Sequence, residues 1–288
     1  DFCALPRIIG NMTSVDTAQG SFKEPKKWRM HHLAMAKSAG RKLTMITAYD
    51  ALTAPIFEEA GVDMILVGDS YGNVQLGYGS TIPVLMEDME RATAAVARSV
   101  NRPIVVADLP FGAYEADSKE AFDNAVRLIR VGANAVKLEG GAEIAHTVAL
   151  LTQAGIPVVG HLGFTPQSEN ALGGPRMQGR GEAKQKMIDD ALALQAAGAV
   201  AIVLELVPSP VAKAVTDALH VPTIGIGAGP DTDGQVLVWA DMAGMYEWVP
   251  SFVKKFANLR ESLKDAVSAY TKEVKDGSFP GPDHYKTN

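Results

Sequence analysis

The sequence predicts an α/β protein folded as a (β/α)8 TIM barrel, and three observations carry that reading. Eight strand-like apolar runs follow one another along the chain, most of them separated by helix-like segments. The runs are continuous and do not alternate with polar residues, which is the pattern of parallel strands covered by helices. The joints from helix back to strand resemble one another: EEAGVDMILVG, RVGANAVKLEG, TQAGIPVVGHLG and QAAGAVAIVLEL. Each puts a glycine where a helix C-cap takes a left-handed residue, then a small gap, then an apolar strand. Eight such units favour a closed barrel over an open doubly wound sheet. The open sheet would carry a glycine fingerprint in its first strand–helix turn, and Tyr49 and Asp50 stand there instead.

In order, residues 1–24 are polar and aperiodic and read as a mobile N-terminal tail. Residues 25–288 read as one barrel domain with an N-terminal helix and a C-terminal helical extension. Pro25 to Ala39 suggests a helix with Trp28, Leu33 and Ala34 on one face. The expected strands are 43–50, 64–69, 104–109, 135–140, 158–163, 201–207, 223–229 and 235–242. Between them, helices are expected over 53–61, 86–100, 119–132, 142–155, 182–198 and 210–219. The polar, glycine-rich stretch 163–181 is too long for a minimal connection and suggests a lid or a second-substrate wall. Residues 251–274 are periodic over several turns and predict one or two closing helices.

Composition excludes several function classes. The 288 residues are 47% hydrophobic and 21% charged, with a formal net charge of -6 and a single cysteine. There is no basic footprint for nucleic acid. No apolar run approaches the roughly 18 residues of a membrane span. Cys3 has no partner for an internal disulfide, and this usage suits a reducing cytoplasm. The opening residues lack a charged region followed by a long apolar stretch, so no secretory signal is expected. Met12 is a candidate natural start, the preceding residues then being vector-derived.

The chemistry is concentrated at the strand ends. Asp69 in MILVGDS, Asp108 in IVVADLP and Glu139 in AVKLEGG each close an apolar run, where the active-site face of such a barrel lies. Three converging acids repel one another unless a cation sits between them. Hard carboxylate oxygens suit Mg²⁺, with Mn²⁺ as the alternative. The competing reading is that each acid caps a helix or pairs with an arginine; three in a row favour the metal. Lys137 lies two residues before Glu139, on the same strand face. It could bind a substrate carboxylate, form a Schiff base, or pair with Asp108 or Glu139; carboxylate binding is favoured. Glu205 in LELVP stands at a strand exit and is a candidate proton-transfer group, against a plain solvent-facing acid. His161 in VVGHLGF is a ligand, a base or a substrate donor, or else a core histidine tied to a carbonyl. GIGAGP (225–230) is a weak phosphate-loop signal, or a tight turn.

Together the phrases TAYDALTAPIFEEAG, LVGDSYGNVQLGY, VVADLPFGAYE, AVKLEGG, GHLGFTPQS, LGGPRMQGRG, ELVP and IGIGAGPDTDGQVLVWADM resemble the ketopantoate hydroxymethyltransferase family. The resemblance runs from about Leu43 to Phe279. It implies a (β/α)8 barrel of the phosphoenolpyruvate/pyruvate type, assembled as a homodecamer of two stacked pentamers. By the same resemblance, Asp69 and Asp108 are metal-site residues that also touch the ketoacid, and Glu139 is the third metal-site acid. Ser70 and Lys137 contact the ketoacid, His161 lies near the substrate, and Glu205 is the catalytic proton acceptor. The implied reaction moves a hydroxymethyl group from 5,10-methylenetetrahydrofolate to 3-methyl-2-oxobutanoate through a Mg²⁺-stabilised enolate. The product is 2-dehydropantoate, at the entry to pantothenate biosynthesis. Three rival readings stand beside this one. The first is a Mg²⁺-dependent C–C lyase or mutase on a related 2-oxoacid. The second is a non-catalytic barrel subunit. The third is a phosphosugar isomerase resting on GIGAGP alone.

Overall fold

Residues 22–287 are described by a computed structural model of the chain. Most of the expected mobile tail, residues 1–21, lies outside the described residues. The elements run α1 (Met30–Ser38), β1 (Leu43–Thr47), α2 (Thr53–Glu59), β2 (Met64–Val67), α3 (Tyr71–Val74), α4 (Met86–Ser99), β3 (Ile104–Asp108), α5 (Ser118–Arg130), β4 (Ala135–Glu139), α6 (Ala145–Gln153), β5 (Val158–Gly163), α7 (Glu169–Leu172), α8 (Ala183–Ala196), β6 (Ala201–Glu205), α9 (Ser209–Ala218), β7 (Thr223–Ile226), β8 (Gly234–Leu237), α10 (Trp239–Met242) and α11 (Leu259–Asp276). The eight strands pair in chain order, all parallel, and β8 closes on β1. The expected barrel is the observed fold.

Alternation along each strand builds two cores. Met64, Leu66, Ile104, Val106, Ala135, Val159, Ala201 and Val203 fill the interior of the barrel. Their neighbours Ile65, Val67, Val105, Ala107, Val136, Leu138, Val158, Ile202 and Leu204 face outward under the helices. Both faces of a strand are buried, which is why the sequence shows runs and not alternation. α4 illustrates the cover: Met86, Met89, Ala92 and Val96 recur on one helical face and are buried. Glu87 and Asp88 in its first turn and Arg98 in its last complement the helix dipole. The four glycines of the repeated joints, at 61, 132, 155 and 198, all have positive φ, as the C-cap reading requires.

The N-terminal mouth is plugged. Trp28, Leu33 and Ala36 join the interior core beside the strand starts. The Trp28 N–H donates to Arg102 O at 2.8 Å and Arg29 has an extended backbone, so the expected helix begins only at Met30. Phe22 to Glu24, expected in the tail, pack here: Phe22 stacks on Trp28, and Glu24 pairs with Arg41 at 2.7 Å. Asp63 is fully buried beneath them. It pairs with Arg41 and accepts from Thr44 N at 2.8 Å and Thr44 Oγ1 at 3.0 Å.

Several strands end two or three residues short of expectation, β1 at Thr47, β6 at Glu205 and β7 at Ile226, and three further stretches differ more. The run 235–242 is a strand only to Leu237, because β1 ends at Thr47 and its Oγ1 accepts from Trp239 N, turning the chain into α10. Residues 251–258 are not helical; α11 starts at Leu259, and its Leu263, Val267 and Tyr270 are exposed. The stretch 163–181 contains a 3-10 turn over Pro166–Ser168 and then α7, so its first half is ordered chain against the barrel.

Replacing Asp63 by Ala removes the buried acceptor shared by Arg41 and Thr44. We expect a loss of about 3 kcal/mol in urea unfolding, with the barrel and its C-terminal mouth retained.

Candidate active site

At the C-terminal mouth one cavity of about 250 Å³ is lined by Asp69, Ser70, Asp108, Lys137, Glu139, His161 and Glu205. All seven residues singled out in the sequence are therefore brought together. Strand register explains how. Asp108 of β3 lies opposite Lys137 of β4, and Glu139 of β4 lies opposite His161 of β5. Gly163 of β5 lies opposite Glu205 of β6. Every second residue of a strand points inward. Lys137 and Glu139 thus continue inward above Ala135, and His161 above Val159. The lower interior is apolar and the upper layer is charged.

The contacts form one network. Lys137 Nζ lies 3.2 Å from Asp108 Oδ1 and 3.7 Å from Glu139 Oε1. The ion-pair reading of Lys137 is thereby met, without excluding a substrate role. His161 Nδ1 is 3.0 Å from Glu139 Oε1, and its Nε2 is 3.3 Å from Glu205 Oε2. That second contact is poorly aligned, so Nε2 has an ion-pair neighbour but no hydrogen bond. Asp108 Oδ2 accepts from the Asp69 N–H at 3.0 Å, while its buried Oδ1 has the Lys137 charge beside it and no hydrogen bond. Ser70 Oγ and Tyr49 Oη are 2.8 Å apart. Glu205 is the most open of the acids, with 18% of its side chain exposed.

Burial sets the charges. It pushes Asp69 up to about 8, reinforced by the carboxylates of Asp108 and Glu139. Burial also raises Asp108, against the lowering effect of Lys137 and the Asp69 N–H. Glu139 is held below the usual range: burial would raise it, but His161, Lys137 and the Gln167 N–H outweigh that. For His161, burial and Lys137 oppose protonation, yet Glu139 and Glu205 raise it to about 9. With both ring nitrogens protonated, Nδ1 donates to Glu139, and Lys137 Nζ at 3.3 Å from that nitrogen is a like-charge neighbour.

Charge and chemistry of these groups fit a divalent cation. The acids that burial strains toward neutrality, and the carboxylate oxygen of Asp108 without a hydrogen bond, are what a hard cation would relieve. Among the described residues, no three His, Cys, Asp or Glu side chains already converge as a ready-made metal cluster. Glu139 explains part of this, since Oε1 meets His161 and Oε2 accepts from the Gln167 N–H at 3.0 Å. Asp69 and Asp108 have the freer oxygens.

Two residues escaped sequence reasoning. Gln167 is buried, and its Nε2 donates to Asp69 Oδ2 at 2.8 Å and to Leu109 O at 2.9 Å. Tyr114 donates to Gln167 Oε1 at 2.7 Å. The signal lay in GFTPQS, a polar residue on an apparently loose loop, but only the fold shows it beneath the acids. The GIGAGP stretch, in contrast, makes a packed turn. A Cβ on Gly229 would come 2.4 Å from Ser209 Oγ, and Asp231 lies 3.5 Å from that hydroxyl, which is poor company for a phosphate.

Two outcomes test this geometry. A Cβ on Gly163, at φ +99, would lie 2.1 Å from the Glu205 carbonyl oxygen. Gly163→Ala should cost about 2–3 kcal/mol in chemical denaturation and displace Glu205, with activity lost beyond the loss of folded protein. The pH dependence of the metal-free protein has a defined sign. His161 and Asp69 both hold protons more tightly folded than unfolded. Their stabilisation is full below the unfolded values and fades as pH rises through about 8 and 9. Melting temperature should therefore fall between pH 6.5 and 9; a rise across that window would contradict the charge assignment.

Comparison with known proteins agrees with the sequence resemblance. A family model described as ketopantoate hydroxymethyltransferase matches residues 27–282. The chain is 50% identical over 275 residues to the 3-methyl-2-oxobutanoate hydroxymethyltransferase of Leifsonia xyli subsp. xyli, covering 95% of this chain and 99% of that one. It is 55% identical over 254 residues to the protein of the same name from Thermobifida fusca, covering 88% and 91%. Among solved structures, a phosphonopyruvate hydrolase complexed with oxalate and Mg²⁺ superposes with TM-score 0.59 at 16% identity, covering 88% of this chain and 92% of that one. A 2,3-dimethylmalate lyase of the PEP mutase/isocitrate lyase superfamily superposes with TM-score 0.57 at 16% identity, covering 90% and 91%. These two show the fold alone. On the family match and the two close relatives, the chain belongs to the ketopantoate hydroxymethyltransferase family.

Proposed function

We propose that the protein transfers the one-carbon unit of 5,10-methylenetetrahydrofolate to 3-methyl-2-oxobutanoate as a hydroxymethyl group, water supplying the hydroxyl oxygen and tetrahydrofolate leaving, to give 2-dehydropantoate for pantothenate biosynthesis. Family membership supports the reaction. The observation that carries the site assignment is the single cavity in which three buried acids, Lys137, His161 and Glu205 face one another. Asp69, Asp108 and Glu139 would hold Mg²⁺. Bound there, the cation would supply Lewis acidity to the oxygens of the 2-oxoacid.

The chain's own residues do the rest. Lys137 is raised above its ordinary value, because Asp108, Glu139 and Asp69 outweigh the burial that opposes its charge. It stays cationic, which favours carboxylate binding over Schiff-base chemistry. Ser70, with its hydroxyl oriented by Tyr49, offers a further contact to the ketoacid. Leu66, Val203, Ile226 and Val236 line the same cavity and offer an apolar wall for the branched end of the substrate. Glu205 takes the proton at C3 so that the carbanion equivalent can attack the one-carbon unit, and protonated His161 beside it steadies the developing negative charge. The cavity is below the roughly 300 Å³ at which pockets for drug-sized ligands begin. It suits the oxoacid and the one-carbon end of the folate, with the rest of the folate lying outside, toward the 163–181 stretch.

No helix among the described residues is long and apolar enough to cross a membrane. The cytoplasmic location is proposed on cysteine usage, a single cysteine in the chain. A homo-oligomer, decameric by the family resemblance, is supported by α11, whose Leu263, Val267, Tyr270 and Val274 are exposed on a helix with no buried residue.

The test is exchange of the C3 proton of 3-methyl-2-oxobutanoate in D₂O, followed by NMR with and without Mg²⁺. Metal-dependent exchange is expected, falling about 100-fold or more in Glu205→Gln. Absence of exchange with metal, and with folate added, would sink the assignment. Asp69→Ala should weaken Mg²⁺ binding in calorimetry, and an unchanged affinity would remove it from the metal site.

A further inference from the structure

The mechanism above leaves Gln167 and Tyr114 without a role, although both are buried against its acids. Their hydrogen bonds connect two of the acids, and the Tyr114 hydroxyl has two acceptors in reach, Gln167 Oε1 and, farther off at 3.1 Å, Glu139 O. The Glu139 N–H donates to Tyr114 Oη at 3.1 Å, and Tyr114 Oη donates to Gln167 Oε1 at 2.7 Å. Gln167 Nε2 then donates to Asp69 Oδ2 at 2.8 Å and to Leu109 O at 2.9 Å. Its backbone N–H donates to Glu139 Oε2 at 3.0 Å. The amide can stand only one way round. The Leu109 carbonyl oxygen can only accept, so the nitrogen must face it and Asp69, and the tyrosine hydroxyl supplies a donor to the amide oxygen. Every polar group of the side chain is satisfied, so its rotamer is fixed from both ends.

We propose that Gln167 is a positioning residue that sets divalent-cation affinity, with Tyr114 acting through it. This rests on the reading that Asp69, Asp108 and Glu139 hold the cation. Gln167 binds one oxygen of Asp69 and leaves the other without a hydrogen bond from the described residues. The same residue fixes Glu139 through its backbone. Two of the three acids are therefore oriented by one glutamine, carried on the 3-10 turn Pro166–Ser168 that follows β5. Outer partners of this kind fix how a ligand carboxylate faces the ion. The cation site is then assembled only when this turn is docked, although the turn supplies no carboxylate of its own.

The experiment is calorimetric titration of the full chain with MgCl₂ and with MnCl₂, for wild type, Gln167→Met and Tyr114→Phe. Gln167→Met keeps the length of the side chain and removes both donors. Tyr114→Phe keeps the ring and its packing and removes one hydroxyl. We expect affinity to fall about 10- to 100-fold in Gln167→Met and by up to about ten-fold in Tyr114→Phe. A purely structural role would lower the melting temperature of the metal-free protein and leave the dissociation constant unmoved. Unchanged affinity in folded Gln167→Met would overturn the inference. Should that variant not fold, unchanged affinity in Tyr114→Phe would overturn it, and weakened affinity there would support it. Wild-type protein that binds neither cation would overturn the metal reading and this inference together, whereas wild-type binding with unchanged variants overturns only the second.

Discussion

The upper interior of this barrel depends on the Lys137 ammonium, buried among carboxylates. Asp69, Asp108 and Glu139 are all nearly inaccessible to water, and so is the lysine. Three carboxylates enclosed together would be driven to protonate. Lys137 stands 3.2 Å from one and 3.7 Å from another, and keeps that from happening completely. It does not compensate all of the charge, since Asp69 is still pushed up to about 8. The protein thus holds an excess of negative charge at one point, which a bound cation would offset before an anionic substrate could be accommodated beside it. A buried ion pair of this sort is weak evidence for stability and better evidence for function.

The barrel makes this arrangement tolerable by segregating its interior. Below the charged layer, Met64, Leu66, Ile104, Val106 and Val203 fill the tube with apolar volume. The N-terminal mouth is closed by Trp28 and Leu33, and the fully buried acid there, Asp63, is matched by Arg41. Stability is concentrated at one end and uncompensated charge at the other. Parallel register is what joins them, because it places Asp108 beside Lys137 and Glu139 beside His161 without any loop having to reach inward.

Much of this was legible in the chain. Asp69, Asp108, Lys137, Glu139, His161 and Glu205 were visible as polar residues closing apolar runs, and a run that ends in an acid marks a strand mouth whatever the strand's neighbours are. The less legible parts fail for physical reasons. Val238 to Met242 continues an apolar run, yet it turns helical because the neighbouring strand stops at Thr47. Residues 251–258 share the periodicity of the helix that follows them but not its conformation. Gln167 sits among Thr, Pro and Ser in a segment that looks solvated. Its burial comes from docking against Leu109 and Tyr114, which are 58 and 53 residues away in sequence.

What the sequence by itself determined was the alternation of strand and helix, the glycine caps that turn each helix back, and the chemical identity of the groups at the strand ends. These follow from local properties: hydrophobic runs, left-handed backbone positions, and the cost of enclosing a charge. Only the tertiary structure decided which charges meet. Closure of β8 on β1 and the register between neighbouring strands put Lys137 between Asp108 and Glu139 and set His161 between Glu139 and Glu205. It also placed Gln167 and Tyr114 beneath the acids. Such pairings depend on residues brought together across the barrel, and no local feature of the chain carries that distance.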